Sequence, residues 1–413
     1  MSAPVVAVVA TLDTKGEEAR YLADRLRVRG LVPRLVDVGL RPTPRHDGEV
    51  DVVRAASARL PGRRDEALAV VGREAARLLA AWHAAGDLAG VVGLGGNQGT
   101  TAGAMAMRDL PLGLPKLLVS TVASGNLRPY LGSSDIAVLP AVADLLGGPN
   151  RLTRPLLERA AGMMAGMILP APPGRPPLEE WAPAVALTAL GNTQRAVERA
   201  MDWLRRRGYE PVPFHASGCG GSAMETLLER GLFAGVLDLT THELLGEVWA
   251  DDIYAPLRPR LVAAGRTGLP QVVGPGGLDY FVFGPPETVP ARCRGRPTHR
   301  HNPYNTNVRT TGEELARVGG LLAERLNAAR GPTAFLYPLR GWSEVGSPGG
   351  ALHDPDANEH LRRAVREACG EDVRYVELDA DLNDPRYADA AVGLLLDFLE
   401  GHRVGGSAAA SST

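Results

Sequence analysis

The chain is poor in the features that would assign a function quickly. It has three cysteines, few aromatic residues (5%) and no long apolar run. Cys219, Cys293 and Cys369 are scattered without metal-ligand spacing, and their odd number argues against a disulfide framework. The N-terminus, MSAPVVAVVATLDT, lacks the basic region and cleavage pattern of a signal peptide, and no apolar stretch approaches the roughly 20 residues a membrane helix needs. Charge of one sign is also missing. With Lys+Arg 45 against Asp+Glu 47 the formal net charge is −2, which leaves no global electrostatic footprint for nucleic acid or an anionic membrane, although Arg292–Arg300 is locally basic. The expectation is a cytoplasmic protein that binds neither nucleic acid nor membrane. Two standard phosphate fingerprints are absent from the glycine-bearing run 90–126 as well: it lacks the Lys-Ser/Thr ending of a Walker A motif, and its glycine spacing is not the dinucleotide GxGxxG.

What is present is ordinary globular composition, 45% hydrophobic and 22% charged over 413 residues, a length that favours two domains. An internal repeat supports that division. Residues 6–34 align with residues 184–212 at a constant offset, and Ala19, Leu22, Ala23 and Leu26 correspond to Val197, Ala200, Met201 and Leu204 on a core-facing helical stripe. Each helix ends in an Arg-Gly pair, Arg29-Gly30 and Arg207-Gly208, followed by a proline at the same distance, Pro33 and Pro211. The proline-dense stretch Pro170–Pro183 reads as a stiff linker, placing the boundary near residue 177. The spans are 1–177, 178–404 and a flexible tail, 405–413.

Apolar runs predict strands near 4–10, 32–38, 90–94, 116–121 and 135–139 in the first half. In the second they fall near 184–190, 211–215, 234–239, 270–274, 333–337 and 373–378. Helical stretches separate them. The alternation predicts an α/β protein of two doubly wound, Rossmann-like domains with parallel sheets and a cleft between the domains.

Residues 90–126 carry the strongest functional signal. Gly95, Gly96, Asn97, Gln98, Gly99 and Thr100 follow an apolar strand and open a helix, whose free amides would suit an anion. The next strand delivers Ser120, Thr121, Ser124, Gly125 and Asn126 to the edge where open α/β sheets bind ligands. Thr11, Asp13, Thr14 and Lys15 end the first strand, with Asp13 suited to a hydroxyl or metal and Lys15 to phosphate; helix capping is the alternative. A third loop, Gly218, Gly220, Gly221 and Ser222, precedes another helix, and Thr240 and Thr241 end the following strand. Tight turns alone would also account for such glycines. Cys219 lies inside this loop, where a small residue tolerated in a turn suffices to explain it. Residues 274–312 show few helix or strand signals; His299, Arg300, His301 and Arg309 there suit an anion better than a metal.

Nine motifs, ATLDTKGEE (10–18), GLGGNQGT (93–100), STVASGN (120–126), HASGCGGSAME (215–225), DLTTHEL (238–244), GPGGLD (274–279), HNPYNTNVRTT (301–311), PLRGWS (338–343) and PGGALHDPDAN (348–358), span nearly the whole chain. In them the sequence resembles bacterial and fungal proteins similar to the ATP-binding N-terminal domain of the tomato mosaic virus resistance protein. That resemblance implies two α/β domains, ATP with Mg2+ and a homo-oligomer. Longer relatives add a barrel-like domain, which would here act in trans. The expected function is ATP binding near the cleft by the glycine loops and Ser/Thr turns, in a kinase or ligase acting on a small carboxylate. The alternative is a non-catalytic module whose ATP stabilises a dimer or a partner-binding surface, and a sugar- or nucleotide-phosphate enzyme is a third class.

Overall fold

The structure is a computed structural model that describes residues 3–41, 52–54, 60–168 and 182–410. The chain divides into two compact units, Met1–Arg175 and Pro176–Thr413. Nearly all of the proline-dense stretch expected as a linker lies outside the described residues.

The N-terminal unit runs β1 (Val5–Ala10), α1 (Leu12–Arg27), β2 (Val32–Asp37), β3 (Val52–Arg54), α2 (Arg64–Ala84), β4 (Gly90–Gly95), α3 (Asn97–Met107), β5 (Lys116–Ser120), α4 (Arg128–Leu131), β6 (Ala137–Pro140) and α5 (Thr153–Ile168). Its sheet is parallel throughout, in the order β3-β2-β1-β4-β5-β6. Both faces are covered, so β1 is apolar at every position. Val6, Val8 and Ala10 pack with Leu22, Leu26 and Leu157, while Ala7 and Val9 face Val71, Leu79 and Met107. Strand order reverses between β1 and β4, which opens a crevice at their C-terminal ends.

The C-terminal unit runs β7 (Ala184–Ala189), α6 (Gln194–Arg206), β8 (Glu210–His215), α7 (Cys219–Glu229), β9 (Gly235–Asp238), α8 (Glu243–Val248), α9 (Ala263–Thr267) and β10 (Gln271–Val273). It continues through β11 (Tyr280–Phe283), β12 (Thr298–Asn302), β13 (Asn305–Arg309), α10 (Gly312–Asn327), β14 (Thr333–Pro338), α11 (Pro355–Ala368), β15 (Val373–Leu378) and α12 (Pro385–Ala410). The main sheet is again parallel, β15-β14-β10-β9-β7-β8, and reverses between β7 and β9. Two doubly wound, Rossmann-like folds are therefore present, as the alternation predicts. The repeat is real in backbone terms: Gly30 and Gly208 take φ of 77° and 78° after α1 and α6, the left-handed conformation that ends a helix without a Cβ clash.

Two sequence expectations are corrected. Strand β3 extends the first sheet where none was expected. The stretch 274–312 is not irregular but holds a small antiparallel sheet, β11-β13-β12. Strands THRHN and NTNVR carry no apolar alternation, so only cross-strand pairing reveals them.

Candidate functional site

In the N-terminal unit the strand-order reversal gathers the residues that sequence reasoning singled out. Register pairs Ala10 with Leu94 and Gly95 with Ser120, so the turns after β1, β4 and β5 leave the same edge of the sheet. Helix α3 starts at Asn97 with Gly96 as N-cap, and no side chain caps it. Gly99 is required for packing: a Cβ there would lie 2.7 Å from the Leu94 carbonyl oxygen. Gly96 has no such constraint, since its Cβ would meet only Thr121 Oγ1, at 3.5 Å. Thr100 Oγ1 and Ser120 Oγ lie 2.7 Å apart, and Ser120 Oγ accepts from the Val122 amide at 3.1 Å, tying the second loop to the first. Beyond it, Ser124, Gly125 and Asn126 are exposed.

Across the crevice, Thr11 and Thr14 hydroxyls lie 2.9 Å apart. Lys15 interrupts α1 with φ −126° and ψ 20°, so the first turn and the rest of the helix meet at a kink. Lys15 and Lys116 are the chain's two lysines. Lys116 is wholly buried and structural, 2.6 Å from Asp135 Oδ1. Lys15 is 9% exposed at the sheet edge, with Asp144 3.5 Å away as its ion-pair partner. Asp13 Oδ1 is buried without a hydrogen-bond partner, and it and Asp37 Oδ1 both lie against Gly39. This edge therefore offers an uncapped helix start, an ammonium, hydroxyls and an unsatisfied carboxylate oxygen.

The glycine loop of the C-terminal unit is different. Its amides are already engaged by the protein: Gly218 and Gly221 N–H groups donate to Glu243 Oε1, the latter at 3.2 Å. A carboxylate from α8 thus occupies the seat expected for phosphate at the start of α7. Ser222 Oγ donates to the Gly218 carbonyl and accepts from the Leu257 amide, and a Cβ on Gly220 would sit 2.0 Å from the His215 carbonyl oxygen. Thr240 and Thr241 are buried too; Thr240 Oγ1 lies 2.9 Å from Thr193 Oγ1, and Thr241 Oγ1 donates to Gly274 O. Gly218, Gly220, Gly221, Ser222, Thr240 and Thr241 thus serve the fold.

Arg309 is corrected as well. Expected on a polar loop, it is 2% exposed at the end of β13, donating to the carbonyls of Asp279 and Asp354 and to Asn358 Oδ1. Truncating it would unsatisfy buried carbonyls, so it is part of the core.

His301, by contrast, is exposed and lines a cavity of about 50 Å³ at the reversal between β7 and β9. Alternation along the small sheet aims Tyr280 and Val282 from β11, and Asn305 and Asn307 from β13, into it. Asn192 and His215 enter from the main sheet's edge. Beneath Tyr254 and Tyr280, at ring-centroid distances of 5.5 and 5.3 Å, lies the fully buried His242. Its Nδ1 meets Gly277 O at 2.7 Å and its Nε2 meets Asp252 at 3.3 Å. Burial works against the imidazolium, but the charge and hydrogen bond of Asp252 outweigh it and raise the pKa above the ordinary 6.5. Among the described residues no group of three His, Cys, Asp or Glu side chains could hold a metal. Sequence reasoning missed Asp252, Tyr254, Asn305 and Asn307; their alternation was visible only as NTN within a polar run.

A prediction follows from the sign of the His242 shift. A folded-state pKa above the unfolded one contributes stability that is complete below pH 6.5 and is lost as pH rises through the raised value. His242→Gln should flatten that part of the pH dependence, so the melting-temperature gap between wild type and variant narrows on the alkaline side. A constant gap across that range would show that His242 stays neutral in the fold.

Comparison with known proteins agrees with this division. Profiles described as the N-terminal and C-terminal domains of an uncharacterised protein family, UPF0261, match residues 4–172 and 182–399. A UPF0261 protein of Rhizobium meliloti (strain 1021) is 43% identical over 94% of this chain and 98% of its own length. One of Clostridium tetani (strain Massachusetts / E88) is 36% identical over 96% and 99%. The ToMV susceptible protein tm-1(GCR26) of Solanum lycopersicum is 31% identical over 96% of this chain, which spans 56% of that protein. No helix among the described residues is long and apolar enough to cross a membrane. Matched in both of its units, the chain belongs to the UPF0261 family.

Proposed function

We propose that the protein binds ATP at the C-terminal edge of the N-terminal sheet. The observation that carries this reading is the placement of an uncapped helix start, Gly96–Thr100, and the Lys15 turn on the two strands that flank the strand-order reversal. Phosphate oxygens would accept from the first amides of α3, Lys15 would neutralise their charge, and Thr11, Thr14 and the Ser124–Asn126 turn would supply further donors. Mg2+ fits only as a passenger of the nucleotide. Asp13 offers one unsatisfied carboxylate oxygen, and the phosphates would provide the other ligands. In an enzymatic version, a kinase or ligase acting on a small carboxylate, Lys15 would stabilise charge developing on the transferred phosphoryl group.

A second reading, a non-catalytic nucleotide-binding module, is favoured by the tomato relative, whose name ties it to virus susceptibility. Its ATP would stabilise a homo-oligomer or a partner-binding surface. ADP formation in the presence of small carboxylates separates the two readings.

Melting curves with ATP, ADP, NAD and sugar phosphates, each with and without Mg2+, test the proposal, because a ligand of the native state stabilises it in proportion to ln(1 + [L]/Kd). Mg-ATP is expected to give the largest rise. Lys15→Met should weaken ATP by about tenfold or more, since a hydrogen bond to a charged group is worth roughly 1.5–3 kcal/mol. Equal responses to all of these compounds would remove the nucleotide from the account.

A further inference from the structure

We propose that the cavity at the strand-order reversal of the C-terminal unit is a binding site for a small carboxylate. The inference does not rest on the nucleotide reading, which concerns the other unit.

The polar lining of the cavity, which comprises Asn192, Asn305 and Asn307 with two phenols and two imidazoles, carries more donor protons than its internal hydrogen bonds use. Asn192 Nδ2 donates to Tyr280 Oη at 3.2 Å, and Asn305 Nδ2 donates to Tyr254 Oη at 3.3 Å. Each phenol is therefore held by an amide and keeps its own O–H proton for another acceptor; among the described residues the structure provides none. Turning either amide over exchanges the roles within the pair and leaves the same surplus of donors. Burial raises the pKa of both phenols, which keeps them protonated. His215 and His301 add imidazole nitrogens at the rim.

Acceptors of matching strength are missing. Among the described residues no Asp or Glu lines the cavity, and Asp252, beside His242, already accepts from the amides of Tyr254 and Val282, at 2.7 and 2.9 Å. With only neutral amide, phenol and imidazole acceptors in its lining, such a site disfavours cations. Phosphate is excluded on different grounds. Among the described residues no Lys or Arg lines the cavity, and the nearby amides at the start of α7 are filled by Glu243. A monoanionic carboxylate matches two converging phenolic donors without demanding a cationic partner. The volume, about 50 Å³, suits a ligand of a few heavy atoms.

The test is calorimetric titration of the full-length protein, free of nucleotide, with sodium acetate, glycolate and lactate, against sodium chloride and inorganic phosphate at matched ionic strength. Saturable binding of at least one carboxylate is expected, with little response to chloride or phosphate. Tyr254→Phe and Tyr280→Phe each remove one oxygen and should weaken that carboxylate about tenfold or more. Tyr254 is the less buried of the two, so its variant keeps the test valid if Tyr280→Phe folds poorly. Lys15→Met should bind the carboxylate like wild type, which separates this site from the nucleotide site. Absence of saturable carboxylate binding, phosphate binding as tight as carboxylate, or undiminished affinity in a folded Tyr254→Phe protein would overturn the proposal.

Discussion

An Arg260→Met variant is expected to lose about 3–5 kcal/mol of stability in the C-terminal unit, a fall in melting temperature of about 6–20 °C for a domain of this size. Arg260 is 1% exposed and its guanidinium meets three buried carboxylates: Glu225 Oε1 at 2.6 Å, Asp238 Oδ2 at 2.9 Å and Glu243 Oε2 at 2.6 Å. Removing the cation leaves those carboxylates without compensation, which costs far more than the pairs contribute when intact. The damage should spread because each acid organises something else. Glu243 holds the Gly218–Gly221 loop, Asp238 accepts from Thr188, and Glu225 accepts from the amides of Leu261 and Ala263. Leu261 has φ 59°, a conformation leucine rarely adopts, and these amide bonds are what keep it there. Differential scanning calorimetry should show a lowered transition for Arg260→Met. Arg340→Ala, which breaks an exposed pair with Asp379, should leave the melting temperature unchanged. Equal melting of Arg260→Met and wild type would mean that the cluster is not ionised as described.

The same cluster shows where sequence reading reached and where it stopped. Strands buried on both faces announce themselves as apolar runs, and the repeat between residues 6–34 and 184–212 marks equivalent βαβ units, so both folds were legible. The turn Gly95–Thr100 was legible as a glycine turn opening a helix because its glycines sit between a strand and a helix start. The Gly218–Gly221 turn has the same local signature, yet its seat is filled by Glu243, 22 residues beyond Gly221. Local sequence reports that amides converge but not which acceptor arrives. Arg309 failed for a related reason: a polar neighbourhood of histidines and asparagines hid a strand whose last residue turns inward. The cavity around Tyr254 and Tyr280 draws on five separate segments, and only tertiary structure brings them together.

Gly96→Val is expected to abolish most ATP binding while leaving the N-terminal unit folded. A Cβ at Gly96 would meet only Thr121 Oγ1, at 3.5 Å, so the substitution is expected to cost the fold little beyond the weaker capping of α3, on the order of 1 kcal/mol. The added methyl groups would instead occupy the space in front of the first amides of α3, where phosphate must approach. Loss of even one charged hydrogen bond corresponds to about tenfold or more in affinity. Gly99→Ala is the informative contrast, because its Cβ would press on the Leu94 carbonyl and destabilise the unit without ligand. Titration calorimetry with Mg-ATP on both variants, beside their melting curves, distinguishes an obstructed site from a damaged fold. A folded Gly96→Val protein with wild-type affinity would remove this loop from the nucleotide site.

The claim that ATP sits on the first turn of α3 is most directly tested by amide hydrogen exchange of the full-length protein with and without saturating Mg-ATP. These amides lie at a helix start and have no side-chain cap, so bound phosphate should slow their exchange. Protection is predicted to concentrate in Gly96–Thr100 and in the Thr11–Lys15 turn, with the Gly218–Gly221 loop unchanged because Glu243 already holds it. Protection that appears at Gly218–Gly221 instead, with Gly96–Thr100 exchanging as in the free protein, would contradict the account.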